Sequence, residues 1–183
     1  MAFIEMAHEK EDTPNSAAAF ATRPGIVAAW QQLNGAVKES MDLRRYELAT
    51  IAAARRLRSS YCMLAHGGVL ANRFVEPEEL RRIALDHRSA GLDPLDVAVM
   101  DLADKIAGDA TGVTEEDIER LRAFGLDDGE IVSVVCAAAA RCFFSKTLDA
   151  LDVRADSSYG ELEPELREAL VVGRPIAAPS GVS

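Results

Sequence analysis

Apolar positions recur at helical spacing almost throughout this chain, broken by short polar stretches. Behind Pro24, a residue suited to the first helical position, Ile26, Val27, Trp30, Leu33 and Val37 form one face. Trp30 reads as a core residue of that stripe, with a place in a substrate cleft as the alternative. Leu48, Ile51, Ala52 and Leu57 carry the next helix, capped by Ser40 or Asp42, with Arg44, Arg45, Arg55, Arg56 and Arg58 as its wet side. Ser59 and Ser60 interrupt it. Serine competes for backbone hydrogen bonds, so Ser59 is the predicted N-cap of a further helix carrying Tyr61, Cys62 and His66. Gly67 and Gly68 sit inside that helix at about 1 kcal/mol each relative to alanine, offset if a neighbouring helix, in this chain or another subunit, packs close.

Start and stop signals continue downstream. Pro77 with Glu78 and Glu79 opens an element over 75–88, and His87 near its end is electrostatically favoured there without chemical duty. Asp93-Pro94 opens the next after Gly91, and 108–112 is a break. Thr114 to Asp117 and Asp127 to Glu130 are capping boxes, the first opening a short helix to Phe124 that Gly125 closes. The second opens a helix over about 128–151 that is apolar nearly all round, the expected spine of the molecule. No segment alternates apolar and polar residues long enough for a strand, which makes the fold class all-α, a helical bundle.

Composition narrows the partners. A chain of 183 residues with 49% hydrophobic side chains supports one compact core. Its formal charge of −10 repels phosphate backbones and anionic membranes, so neither a nucleic acid nor a membrane is an expected partner. The first twenty residues lack the pattern of a signal peptide, and the longest apolar run, IVSVVCAAAA, is stopped by Arg141. Three cysteines are too few for a disulfide framework, and a soluble cytoplasmic protein is the expectation. The layout reads as an arm over 1–20, a helical domain over 21–155, and a terminal helix (about 161–172) with a loose Gly/Pro/Ser tail over 156–183.

Candidate chemistry centres on Cys62. A first-turn cysteine feels free amides and the positive end of the helix dipole, which favour a thiolate. His66 lies one turn on, placed to take a proton, and Glu47 would orient the imidazole if the two helices pack side by side. The plain alternative is a cysteine buried as a small hydrophobe. Glu47, Cys62 and His66 would make an incomplete zinc site, and no metal or other cofactor is expected. Cys136 and Cys142 stand about 9 Å apart along the helix axis on different faces, too far to bridge; burial as inert small hydrophobes is expected, although either one could face Cys62.

Glu47, Ser59, Cys62 and His66 read E-x11-S-x2-C-x3-H, which resembles the E-x11-C-x2-C-x3-H signature of the alkylhydroperoxidase D-like, carboxymuconolactone decarboxylase superfamily. The segments RRYELATIAAARRLRSSYCMLAHGG and GLDDGEIVSVVCAAAARCFFSKTLDAL are similar to that family too, and the likeness spans roughly 20–155. Two departures stand out. Ser59 replaces the first cysteine, which removes the intramolecular dithiol cycle, and Ser145-Lys146 stands where Asn-Arg is typical. The resemblance implies a homo-oligomer, a trimer or hexamer, and a peroxidase-related enzyme. Its catalytic residues would be Cys62, His66 and Glu47, with Ser59 and Tyr61 auxiliary. The substrate would be a hydroperoxide or other small organic molecule, and an external thiol, another subunit, or Cys136 or Cys142 would restore Cys62. The alternatives are the superfamily's lactone decarboxylase branch, working by acid–base chemistry through Glu47 and His66 with Arg55, Arg56 or Arg58 on a carboxylate, and an oligomeric scaffold without activity.

Overall fold

The computed structural model describes residues 2–8, 10 and 12–179. Among them are nine α-helices, two short 3₁₀ turns and no strand. The helices are α1 (Asn15–Phe20), α2 (Pro24–Glu39), α3 (Leu43–Arg56), α4 (Ser60–Arg73), α5 (Pro77–Asp86), α6 (Pro94–Asp109), α7 (Glu115–Ala123), α8 (Asp128–Ala150) and α9 (Pro164–Leu170). The 3₁₀ turns are Ala110–Gly112 and Ser157–Glu161.

Short-range chemistry sets most of these boundaries. Asp42, not Ser40, caps α3, its Oδ1 accepting from the Arg45 amide at 3.0 Å. The Ser40 hydroxyl goes instead to Ser133 Oγ, 2.8 Å away on α8. Both capping boxes form: Asp117 answers Thr114, and Asp127 and Glu130 bond each other's amides at 2.8 and 2.9 Å. Pro77, Pro94 and Pro164 each open a helix, and Gly125 takes φ +96 between α7 and α8, a left-handed conformation that favours glycine.

The centre of the bundle is α3 rather than α8. Nine consecutive residues, Tyr46 to Ala54, are buried, because four alanines among them let α6, α4 and α8 approach from different sides. The arginines expected on its wet side are largely engaged. Arg44 and Arg45 pair with Asp96, a buried carboxylate of α6, and Arg55 and Arg58 donate to the carbonyls of Leu85 and Val172. By length and composition α8 is apolar enough to cross a membrane, contrary to the reading that Arg141 ends the run; half of its most apolar stretch is packed inside the chain. The other side of α8 is open, with Val132 and Phe143 exposed.

Both ends of the chain join this core. Ala18, Ala19 and Phe20 of α1 are buried, as are Leu166, Ala169 and Leu170 of α9, which packs on α5 and α4. The last helix is shorter than the expected 161–172, since Pro164 starts it and a 3₁₀ turn precedes it. Part of the tail expected to be loose is tied down: Ala177 donates to the Ala155 carbonyl at 2.8 Å and Arg174 pairs with Asp152. Residues 180–183 of that tail, and 1, 9 and 11 of the arm, lie outside the described residues. A Cβ on Gly67 would sit 3.2 Å from Leu170, so this glycine serves close packing within the chain, whereas nothing lies within 4 Å of the same position at Gly68.

Candidate functional site

Helix α4 begins where the serine pair predicted it. Ser59 is its N-cap by backbone conformation, yet its side chain makes no capping bond. That hydroxyl is buried with no partner in hydrogen-bonding geometry, and the Asp149 carboxyl, whose pKa burial raises, is the polar group near enough to interact with it. Cys62 follows in the first turn and is 1% exposed. Its sulfur accepts from two α8 side chains, Ser145 Oγ at 3.1 Å and Arg141 Nη1 at 3.6 Å.

One turn along α4, His66 Nδ1 lies 2.5 Å from Glu47 Oε2. The side-by-side packing of α3 and α4 thus brings together the two residues that sequence could only place conditionally. Glu47 is 1% exposed, and its other oxygen is 3.7 Å from Lys38 Nζ. Burial first, then the Arg141 and Lys38 cations, outweigh the Glu47 carboxylate and hold the His66 pKa down to about 4. The ring is therefore neutral near pH 7. With Nδ1–H donating to Glu47, Nε2 carries the free lone pair.

Arg141 sits at the junction of these groups. It is 3% exposed, donates through Nη2 to the Tyr46 hydroxyl at 3.4 Å, and keeps its Nε–H buried with no partner. Its guanidinium lies 5.7 Å from the Trp30 ring and 5.5 Å from that of Phe144. Trp30 is not core: partly exposed on α2, it stacks on Phe144 at 5.1 Å and covers the arginine. Tyr46 donates to Asn34 Oδ1 at 2.7 Å and meets the His66 ring edge-on; burial raises its phenol pKa.

Tyr61 is turned to other work. Its hydroxyl donates to Asp156 at 3.0 Å and accepts from the Ser16 amide at 3.2 Å, tying α1 to the stretch that follows α8. Cys136 and Cys142 are partly exposed on α8 rather than fully buried, and all three cysteines are free. Helical geometry explains why neither appears at the sulfur. Arg141 and Ser145 are four residues apart and share a face, and Cys142 is rotated about 100° from Arg141. Among the described residues no three His, Cys, Asp or Glu side chains converge as metal ligands.

Sequence reading missed Arg141, Ser145, Tyr46 and Lys38. A signal for the first existed: a lone arginine inside an otherwise apolar helix, which a buried charge needs a reason to occupy. Ser145 stands out in the sequence only as a departure from a family pattern. Tyr159, in the second 3₁₀ turn, is also close enough to Cys62 to feel its charge, and it lines a cleft of about 870 Å³ beside the N-terminal residues.

Known proteins share this architecture. Two peroxidase-related proteins, from Ralstonia eutropha and from a Silicibacter species, superpose with TM-scores of 0.74 and 0.75. The first is 21% identical over 88% of this chain and 83% of its own, the second 19% identical over 81% and 79%. A debrominase solved with 2,3,4-tribromopyrrole has a TM-score of 0.72 at 12% identity, over 86% of this chain and 81% of its own. Among curated proteins none matches the sequence. Residues 24–105, which contain Glu47, Ser59, Cys62 and His66, match the carboxymuconolactone decarboxylase family, and the chain has the all-helical fold of alkylhydroperoxidase-like proteins.

Proposed function

We propose that the chain is a peroxidase-related thiol enzyme that reduces hydroperoxides through Cys62, with His66 and Glu47 as its proton relay. The observation that supports this most is the 2.5 Å Glu47–His66 contact one helical turn from a buried cysteine. A neutral imidazole fixed through Nδ1 has Nε2 free to accept the thiol proton. The sulfur then attacks the terminal peroxide oxygen: an S–O bond forms, the O–O bond breaks, and the departing alkoxide takes the proton back from His66. Cys62 leaves as a sulfenic acid and the hydroperoxide as an alcohol. With Ser59 unable to form a disulfide, two equivalents of an external thiol return the sulfenic acid to the thiol, through a mixed disulfide. Ser59, whose hydroxyl is buried and unpartnered, is a donor for the sulfenate oxygen. We place the enzyme in the cytoplasm as a homo-oligomer, a trimer or hexamer.

Oxidation by an organic hydroperoxide, trapped with a sulfenic-acid reagent and mapped by mass spectrometry, tests the reading. Labelling at Cys62 well above the rate of free cysteine is expected, lost in Cys62→Ser and lowered at least tenfold in Glu47→Gln and His66→Gln, within the range for a positioned proton-transfer group. Oxidation at the free-cysteine rate sinks it. The second reading is then acid–base chemistry on a small lactone or carboxylate, favoured by the family match and by a Glu47–His66–Tyr46 cluster that needs no sulfur.

A further inference from the structure

The relay leaves two α8 residues unexplained. Arg141 is a buried cation whose hydrogen bonds run to a sulfur and a phenol; no carboxylate among the described residues pairs with it. Burying a guanidinium is expensive unless a negative charge or several acceptors satisfy it. One of its donors, Nε–H, has no acceptor at all. Aromatic rings of Trp30 and Phe144 hold it in place and keep water off. Ser145, completely buried, spends its hydroxyl on the same sulfur from one helical turn away.

We propose that Arg141 and Ser145 form the seat for negative charge on Cys62: the thiolate before reaction, and the sulfenate oxygen after it. This rests on the peroxidase reading and deepens it. The relay moves the proton, and α8 stabilises the charge that the proton leaves behind. Two donors already reach the resting sulfur at 3.1 and 3.6 Å, and the unpartnered Nε–H is a further donor for the oxygen that the reaction adds to it. In members with a C-x-x-C pair a second thiol captures the oxidised sulfur. Here, with Ser59 in that place, a charged seat lets a sulfenate persist until an external thiol arrives. Arg141 and Ser145 are thus catalytic residues that touch the reacting atom.

The thiolate can be read directly from its ultraviolet absorbance, in a Cys136→Ser/Cys142→Ser background, as the difference from the same chain with Cys62→Ser. The groups that face or back the sulfur are Arg141 and Ser145 from α8, Tyr159 from the second 3₁₀ turn, His66 on its own helix, and Glu47 and Tyr46 behind His66. In Arg141→Met the thiolate population at a fixed pH should fall about tenfold or more, one pH unit in the titration midpoint. Arg141→Lys should restore part of it, and Ser145→Ala should fall by about tenfold, the low end for one lost hydrogen bond to a charged acceptor. If Arg141→Met does not fold, the two milder variants decide. Midpoints unchanged in both overturn the inference, as does a parent chain with no more thiolate at neutral pH than free cysteine. The peroxidase reading fails separately. Slow oxidation of Cys62 with the titration still dependent on Arg141 sinks the reading alone, and fast oxidation with an unchanged titration sinks the seat alone.

Discussion

At the scale of single residues, His66 ties chemistry to stability. Its folded pKa of about 4 lies below the ordinary 6.5, so the unfolded chain binds more protons throughout that window. Stability therefore rises with pH between about 4 and 6.5 and is lost as pH falls through the same range. A shift of this size corresponds to roughly 3 kcal/mol at 1.36 kcal/mol per unit. Chemical denaturation of the parent and of His66→Gln at pH 7 and near pH 4 checks this. The parent should lose markedly more stability on acidification than the variant; equal losses would show that His66 does not carry the effect. Asp117, whose carboxyl its Lys105 partner holds near 2, titrates lower and so leaves this window clear.

Elements were legible where their signals are local. Asp42, Pro77, Pro94, Gly125 and the two capping boxes each act on backbone groups within a few residues, and each sits where the sequence put it. What could not be read was which side of each helix is covered. α3 is central and α8 half-open because alanines on α3 admit neighbours all round, a fact about packing partners rather than about either helix alone. The same limit hid Arg141 from Cys62, 79 residues away, while Glu47 and His66 could be paired because adjacent helices in sequence are usually adjacent in space. Gly67 and Gly68 show the consequence for mutation. In Gly68→Ala the added methyl meets nothing within 4 Å, so helix propensity should raise stability by about 0.5–1 kcal/mol. In Gly67→Ala the methyl presses on Leu170, which is 1% exposed and held in the core, and the same propensity gain should be cancelled or reversed. Thermal melts of the two variants should move in opposite directions, or Gly67 should not move up; a rise of similar size in both would mean α9 yields easily.

On the scale of the whole molecule, α2 and α8, which pack on each other, both leave large apolar side chains open. Val132, Cys136, Ala139 and Phe143 follow a 4-3-4 spacing along α8, and beside them α2 presents Ile26 and Leu33. Val132 is 59% exposed, Leu33 53% and Ile26 47%, much large apolar side chain for a surface meant to face water. Stripes at that spacing suit helix-on-helix contact, and a second copy of this chain is the partner we propose. Charge opposes it: at a formal −10, two copies repel, so association should tighten as salt screens them, over a Debye length of about 10 Å at 0.1 M. Light scattering on the parent should thus give a mass above the 19.7 kDa monomer that increases or holds with salt. Leu33→Glu with Val132→Glu should reduce it to the monomer, since each buried carboxylate would lack a partner. Both residues are exposed and outside the core, so the dissociated variant should keep its fold. A parent that is monomeric at every salt concentration would remove the assembly, and the exposed face would then need a different occupant.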